Sequence, residues 1–237
     1  MTTDRVFDGK NRRIFKILRD KIRVRVYTSV VEQTRAQKIL EILSVRYPDA
    51  GCELSYRSVF ELLVAVILSA QCTDRRVNAV TQELFEAADT PEKFLSMGQA
   101  ELEQRIFSCG FYRQKAKSIL SACGDILEKH GGRVPDDFDA LIKMRGVGRK
   151  TANVLLSVAF GRGGHIAVDT HVFRVSRRLG LSAGSTPAAV EKDLTKAFST
   201  GQTAAAHHVL IFHGRYCCRA ARPHCANCPV AAYCMVR

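Results

Sequence analysis

Apolar residues along this chain recur mostly at the three- and four-residue spacing of α-helices. One such stripe runs until Pro48 and consists of Ala36, Ile39, Leu40, Leu43 and Tyr47. Residues 59–69 are apolar on nearly all sides, which is typical of a helix at the centre of a domain. Another stripe follows Phe111 and consists of Ala116, Ile119, Leu120 and Cys123. The pattern predicts an all-α fold.

Proline and glycine mark predicted helix ends. Thr90 and Thr186 each precede a proline, which is the pairing of N-cap and first helical residue expected at a helix start. Gly110, Gly131 and Gly214 are expected to close other helices, because glycine readily adopts the left-handed backbone conformation found at such ends.

A glycine hairpin lies between two apolar helical runs, where Gly146 and Gly148 bracket Val147. Such glycines let the backbone turn tightly and approach a partner closely. A helix that opens at about Arg149 would direct its free backbone N–H groups at whatever lies before it. Those groups favour a phosphate, so the hairpin is a predicted contact with a nucleic acid backbone.

Lys150 lies in the first turn of that predicted helix, where the helix dipole disfavours a cation by roughly 0.3 to 1 kcal/mol. Nucleophilic catalysis would explain the placement, since a neutral lysine amine can attack carbon. Asp169, 19 residues further on, could accept the proton or stabilise a cationic sugar. The alternative is a binding hairpin with a solvated lysine, in which Asp169 only caps a helix that begins near Thr170. The two roles of Asp169 do not exclude each other.

Four thiols lie within 17 residues, at Cys218, Cys225, Cys228 and Cys234. Four thiolates suit zinc or an iron–sulfur cluster. Zinc ribbons usually set two C-x-x-C pairs far apart, so this compact loop with one such pair favours a [4Fe-4S] cluster over zinc and over unrelated core thiols. Cys217 is an extra thiol beside the first ligand, and the register of ligands could therefore shift by one residue. The scattered cysteines are predicted core residues: Cys52, Cys72, Cys109 and Cys123.

Composition and charge narrow the class of partner. The 237 residues suffice for one large or two small domains, and a formal net charge of +13 implies a polyanion, either nucleic acid or a membrane surface. The longest apolar run, Leu62 to Leu68, is too short to span a membrane, and the N-terminus lacks the apolar region of a signal peptide. Residues 1–33 hold nine Lys or Arg against four Asp or Glu. This basic extension is either a solvated tail or an arm that lies along phosphates.

Five motifs occur in the order found in one known family. They are LSAQCTD at 68–74, GVGRKTANVLL at 146–156, IAVDTH at 166–171, HGRYCC at 213–218 and the four-cysteine spacing. Together they resemble endonuclease III, the family of bifunctional helix-hairpin-helix DNA glycosylases, over about residues 34–237. The resemblance implies an enzyme of base excision repair that removes oxidised pyrimidines by Schiff-base chemistry and cleaves the strand at the abasic site by β-elimination.

The same resemblance implies two helical domains with a DNA-binding groove between them. Residues 52–162 would form a six-helix domain that contains the helix-hairpin-helix, and residues 34–51 with 163–237 would form an iron–sulfur cluster domain. The expected partner is double-stranded DNA that contains oxidised pyrimidines or abasic sites, without membrane contact. A cytoplasmic, nucleoid-associated monomer is expected.

Site residues follow from the resemblance position by position. Lys150 matches the Schiff-base lysine and Asp169 the essential aspartate. Gln71 corresponds to the residue that enters the gap left by the flipped base, and Phe111 falls where the family inserts an apolar wedge. Further expected DNA contacts are Gly146, Val147, Gly148 and His171, although packing at a helix start is an equal alternative for His171. The expected ligands of the [4Fe-4S] cluster are Cys218, Cys225, Cys228 and Cys234.

Three features depart from the family pattern. The loop at 161–164 makes the spacing between Lys150 and Asp169 one residue longer than the commonest one, which puts their relative geometry in question. Phe111 stands where leucine is frequent, and Cys217 stands where threonine is.

Two rival functions remain open at this point. Adenine mismatch glycosylases share the hairpin, the aspartate and the cysteine spacing, but they lack a lysine at position 150 and carry a further C-terminal domain. A DNA-binding protein without catalysis would need only the hairpin and the basic surface. Strand cleavage at an abasic site distinguishes the three.

Overall fold

The computed structural model describes residues 35–236, in which helices alternate with short loops and no β-strand occurs. The predicted all-α class is therefore confirmed. The basic extension of residues 1–33, the first residue of the predicted cluster domain and residue 237 lie outside the described residues.

The helices follow one another from the first motif to the cysteine loop. They are α1 (residues 35–46), α2 (Val59–Ser69), α3 (Asp74–Ala87), α4 (Pro91–Arg105), α5 (Tyr112–His130), α6 (Phe138–Lys143), α7 (Arg149–Val154), α8 (Thr170–Arg178), α9 (Pro187–Ala197) and α10 (Thr203–Tyr216). A π-helical turn, Leu155–Ala159, continues α7. Short 3-10 turns lie at Thr200–Gln202, Cys225–Asn227 and Ala231–Tyr233.

Side chains that accept a backbone N–H bond define most of the helix starts. The capping residues are Ser58, Thr73, Thr90, Asp137, Asp169 and Thr186. Thr90 and Thr186 confirm the predicted starts, and Gly131 ends α5 in the left-handed conformation as predicted.

Two of the predicted helix ends are wrong. Gly110 does not close α4, because that helix already ends at Arg105 and the chain turns with a hydrogen bond from the N–H of Cys109 to the carbonyl of Ile106. Helix α10 continues past Gly214 to Tyr216. Gly214 is required there for packing, since a Cβ atom would lie 2.7 Å from the Cβ of His171 on α8.

Two hydrophobic cores organise these helices. Helices α2 to α7 build the first, and α2 lies at its centre, as predicted, with nine of its 11 residues buried. Helices α1, α8, α9 and α10 build the second, around residues such as Ile39, Val175 and Leu210. Cys109 and Cys123 are buried in the first core as predicted, whereas Cys52 and Cys72 are only half-buried.

Helix α10 packs against α8 and reaches the π-helical turn that follows α7. Lys150 in the first turn of α7 and Asp169 at the start of α8 line one cavity with residues of both cores. Within residues 35–236, every helix is too short or too polar to cross a membrane.

Candidate active site and cysteine cluster

The glycine hairpin joins α6 to α7, and its two glycines are required for different reasons. Gly146 has a φ of 83°, and a Cβ atom there would lie 2.5 Å from the Cβ of Ser118 on α5. Gly148 has a φ of −88°, and a Cβ atom there would have no neighbour within 4 Å. The side chain of Val147 is buried, so Val147 offers a partner only its backbone.

Helix α7 begins at Arg149, as predicted, and Lys150 is its second residue. No side chain in the described part of the chain caps this end, which leaves its backbone N–H groups without a side-chain partner. Arg149 points elsewhere, because its Nε lies 2.8 Å from Oε2 of Glu191 on α9 and its guanidinium lies over the ring of Phe138. Lys150, by contrast, is exposed to solvent and borders a cavity.

This cavity, of about 100 Å³, brings Lys150 and Asp169 together. Other elements contribute to its wall, with Ser69, Asp74, Val158, His207, His208 and Arg215 among the lining residues. The longer loop at 161–164 does not separate the lysine from the aspartate. It packs against the turn Thr200–Gln202, and the N–H of Gly164 donates to Oγ1 of Thr203 at 3.0 Å.

Asp169 is both a helix cap and a wall of the cavity. Its Oδ1 accepts hydrogen bonds from the backbone N–H groups of His171 and Val172, each at 2.8 Å. These two bonds fix the half-buried carboxyl group at the start of α8. The predicted capping role is therefore confirmed, and it leaves the carboxyl group at the cavity that Lys150 borders.

An ion-pair network that the sequence analysis did not assign crosses the site. Nη2 of Arg215 on α10 lies 2.9 Å from Oδ2 of Asp74 at the start of α3, and Arg215 also pairs with Glu53. Burial raises the pKa of Asp74, while the charge of Lys150 lowers it and that of Asp169 raises it. Asp74 and Arg215 lie inside recognised motifs, but a separation of 141 residues gives no hint of their pairing.

Two adjacent histidines of α10 also border the cavity. The pKa of His207 is lowered to about 3, mainly by burial and in part by the charges of the neighbouring His208 and Lys150. Burial also lowers the pKa of His208. Both imidazoles are therefore neutral near pH 7, and the cavity has a neutral wall opposite Lys150.

Gln71 and Phe111 both project from loops in a strained backbone conformation. Their φ angles are 53° and 56°, and Arg222 is the one other non-glycine residue in 35–236 with a positive φ. Such a conformation costs a non-glycine residue of order 1–3 kcal/mol and tends to occur at functional sites. Both side chains are exposed, Phe111 by 69%. The loops touch, because a Cβ atom at Gly110 would lie 3.7 Å from the carbonyl oxygen of Gln71.

His171 is half-buried at the start of α8. Its Nδ1 lies 3.2 Å from Nη2 of Arg174, and its Cβ packs against Gly214. The structure thus provides the packing role that the sequence left as an alternative.

The cysteine loop encloses a second cavity, of about 330 Å³. All four predicted ligands line it, together with Cys217 and His213. Nη1 of Arg178 donates to Sγ of Cys218 at 3.4 Å, and Nε2 of His213 lies 3.6 Å from Sγ of Cys228. Donors directed at sulfur stabilise thiolate ligands.

Several thiols line one cavity, and a guanidinium donor and an imidazole nitrogen lie beside two of them. This arrangement fits a metal group that cysteines hold. The ligand atoms of His213, Cys217 and Cys228 all lie within 4.8 Å of one another. Cys217 thus stands as close to Cys228 as a ligand would. The residues form a candidate metal site.

Comparison with known proteins identifies the family to which this chain belongs. Residues 64–200 match the model of the HhH-GPD superfamily of base excision DNA repair proteins. The chain is 50% identical to endonuclease III of Rickettsia conorii over 197 residues, which cover 83% of this chain and 93% of that protein. The chain belongs to the endonuclease III family. It is therefore a DNA glycosylase of base excision repair with lyase activity at abasic sites.

Further endonuclease III proteins give the same result. The enzyme of Bacillus subtilis is 50% identical over 196 residues, which cover 82% of this chain and 89% of that protein. A solved structure of a trapped endonuclease III–DNA covalent intermediate superposes with a TM-score of 0.81 at 48% identity, covering 86% of this chain and 95% of that one. The partner of this chain is accordingly duplex DNA.

Proposed function

We propose that this endonuclease III removes oxidised pyrimidines from duplex DNA, with Lys150 as the nucleophile and Asp169 as its partner. The observation that carries the proposal is the cavity that both side chains border at the junction of the two cores. The related protein whose structure is described as a DNA covalent intermediate supports a covalent mechanism. Adenine mismatch glycosylases would lack Lys150, and a purely binding protein would not need the cavity.

The chemistry begins when a damaged pyrimidine leaves the duplex and places its sugar at the cavity. Flipping costs a few kcal/mol, and less for a poorly stacked base. Nζ of Lys150 attacks C1′ and the base departs, with Asp169 taking a proton or stabilising the cationic sugar. The adduct rearranges to a Schiff base. Loss of a proton from C2′ then expels the 3′ phosphate and cleaves the strand.

Two loops hold the distorted duplex in this scheme. Phe111 enters the stack as an apolar wedge, and Gln71 fills the gap left by the flipped base. Their exposure and left-handed backbone support these roles, because a strained and exposed aromatic residue is explained by a partner that covers it. The backbone of Gly146, Val147 and Gly148 would bind a phosphate, and His171 would lie at the edge of the same surface.

The cysteine site would hold a [4Fe-4S] cluster with Cys218, Cys225, Cys228 and Cys234 as ligands. The cluster, when bound, would fix the loop that carries the exposed Arg219, Arg222 and His224 near phosphates. Residues 52–162 and residues 34–51 with 163–237 would form the two domains, which agrees with the positions of the two cores. The protein would act in the cytoplasm as a monomer bound to the nucleoid.

Borohydride trapping on a thymine glycol duplex tests the proposal. Lys150→Gln is expected to bind the duplex with nearly unchanged affinity and to lose the covalent adduct, because the amide keeps the size and loses the nucleophile. Lys143→Gln is the matched control, since Lys143 is an exposed lysine of α6 just before the hairpin. An adduct with the Lys150 variant would assign the nucleophile to another residue.

A further inference from the structure

Two cysteines outside the cluster loop lie at the base of the loops that carry Gln71 and Phe111. Cys72 directly follows Gln71, and Cys109 is separated from Phe111 only by Gly110. The thiols of the two cysteines interact with each other, and the loops that carry them touch at Gly110 and Gln71. Cys109 is fully buried and Cys72 is half-buried, so a small reagent can reach the pair from the side of Cys72.

A buried lysine stands beside this thiol pair. Nζ of Lys115 donates to the carbonyl of Leu68 at 2.8 Å, which holds the end of α2 just before the Gln71 loop. Lys115 also interacts electrostatically with both Cys72 and Cys109. A cation next to a cysteine favours the reactive thiolate.

Burial disfavours the charged forms of both the thiol and the amine. It raises the pKa of Cys109 to about 11 and lowers that of Lys115. The positive charge of Lys115 lowers the pKa of Cys109 against this effect, so Lys115 favours the thiolate that Cys109 must form before its sulfur can react. Cys123, on the same helix as Lys115, is buried without such an arrangement and provides a natural comparison.

We propose that Cys72 and Cys109 form a redox-active pair that a peroxide converts into a disulfide. The sulfur of Cys72 attacks one peroxide oxygen and becomes a sulfenic acid, and the first water leaves. The sulfur of Cys109 attacks the sulfur of Cys72, and the departing hydroxide takes up the proton of the Cys109 thiol and leaves as the second water. Two thiols are oxidised to one disulfide, and one peroxide is reduced to two waters.

The disulfide would tie the Gln71 loop to the Phe111 loop. This consequence rests on the proposed function, in which both loops enter the duplex beside the flipped base. A covalent tie between them prevents the separate movements that entry requires, so we infer that the oxidised protein binds damaged duplex at least fivefold more weakly.

The test uses the cluster-loaded protein treated with hydrogen peroxide, blocked with an alkylating reagent and digested without reduction. Mass spectrometry is expected to find a peptide pair joined through Cys72 and Cys109 that is two hydrogens lighter than the two free peptides. Cys72→Ser and Cys109→Ala abolish this product, whereas Cys123→Ala retains it. Alkylation or over-oxidation of Cys72 without the joined pair overturns the proposal, whatever the enzyme does to DNA.

Binding to a duplex with an abasic analogue tests the consequence. The wild-type protein is expected to lose affinity after peroxide and to regain it after reduction with dithiothreitol, while Cys72→Ser keeps its affinity throughout. Because both proteins carry the same cysteine cluster, its visible absorbance shows whether peroxide has damaged the cluster equally in both. A joined pair without a change in affinity overturns the regulatory role, and an equal loss of affinity in both proteins assigns the effect to the cluster.

Discussion

A Cβ atom on Gly146 would lie 2.5 Å from the Cβ of Ser118, so the hairpin is seated on α5 by a contact that only glycine permits. The left-handed φ of 83° at Gly146 adds a second reason for glycine at this position. The contact between these two residues joins the hairpin before Lys150 to the first core.

Gly146→Ala is expected to lower the free energy of unfolding by about 2–4 kcal/mol, because it combines backbone strain with overpacking against Ser118. Urea unfolding measures this change. Gly148→Ala is the control, since its backbone is ordinary and its Cβ would meet no neighbour. It should change stability by less than about 0.5 kcal/mol and weaken DNA binding instead. Equal destabilisation by both variants would contradict the assigned difference.

Substitutions of Asp169 separate its capping role from its chemical role. Asparagine caps a helix about as well as aspartate, so Asp169→Asn should keep the free energy of unfolding within about 0.5 kcal/mol, whereas Asp169→Ala should lower it by about 1 kcal/mol. Both variants should slow base release by about 100-fold or more, because neither retains a carboxyl group. Single-turnover excision and urea unfolding are the two measurements. If Asp169→Asn excises bases at the wild-type rate, the carboxyl group serves only as a cap.

Local patterns accounted for much of this molecule. Sequence analysis predicted the apolar helix α2, the caps Thr90 and Thr186 and the start of α7 at Arg149. Each of these features depends on residues that are close together in the sequence. The prediction that Gly214 ends a helix was wrong. Its small size is required by a contact with α8, and no local pattern shows such a contact.

In the candidate site, too, some features follow from local motifs and others from contacts between distant helices. The motifs singled out Lys150 and Asp169, but the cavity that both residues border and the pairing of Arg215 with Asp74 depend on how distant helices meet. The neutral state of His207 likewise follows from burial between helices distant in sequence. Long-range packing therefore decided the parts of the site that motif spacing could not supply.

Iron content distinguishes a proposed cluster ligand from the extra thiol of the cysteine loop. Cys217→Ser should keep about four irons per chain, while Cys225→Ser should lose the cluster, because only the second residue belongs to the proposed ligand set. Iron analysis and visible absorbance of anaerobically purified protein provide the measurement. Cys217 lies close to Cys228 and His213, so equal loss of iron in both variants would shift the ligand register to Cys217. A content of one zinc and no iron per chain would show that the site holds zinc and not a cluster.

Phe111→Gly should reveal a conflict between stability and function. Glycine accepts the left-handed backbone of this position, so the free energy of unfolding should stay the same or rise by up to about 1 kcal/mol. Loss of the ring should weaken binding to damaged duplex by tenfold or more, since base stacking on an aromatic ring contributes ~1–3 kcal/mol. Fluorescence anisotropy and thermal unfolding measure the two effects.

Phe107→Ala is the control for this experiment. Phe107 is also an exposed phenylalanine, at 67%, but its backbone is not left-handed. The Phe107→Ala substitution should alter the DNA affinity by less than twofold. If Phe107→Ala weakened DNA binding as much as Phe111→Gly does, any exposed aromatic side chain near the loop would contribute to the affinity. Phe111 would then have no specific role as a wedge.

The buried imidazole of His207 predicts a specific loss of stability in acid. Its pKa is about 3 in the folded protein, against about 6.5 for an unperturbed histidine, so between these values the unfolded chain binds one proton more than the folded one. The free energy of unfolding therefore falls as the pH falls below 6.5. From pH 7 to pH 5 this single group accounts for ~2 kcal/mol.

His207→Gln removes that proton uptake and should flatten the pH dependence by the same ~2 kcal/mol, even if glutamine lowers stability at both pH values. The other titratable groups that line the cavity are Cys52, Glu53, Asp74, Lys150, Asp169, His208 and Arg215. They remain in both proteins, so the difference between the two urea-unfolding curves isolates His207. Parallel stability profiles would mean that the imidazole of His207 takes up a proton in the folded protein as readily as in the unfolded chain. The neutral wall opposite Lys150 would then be excluded.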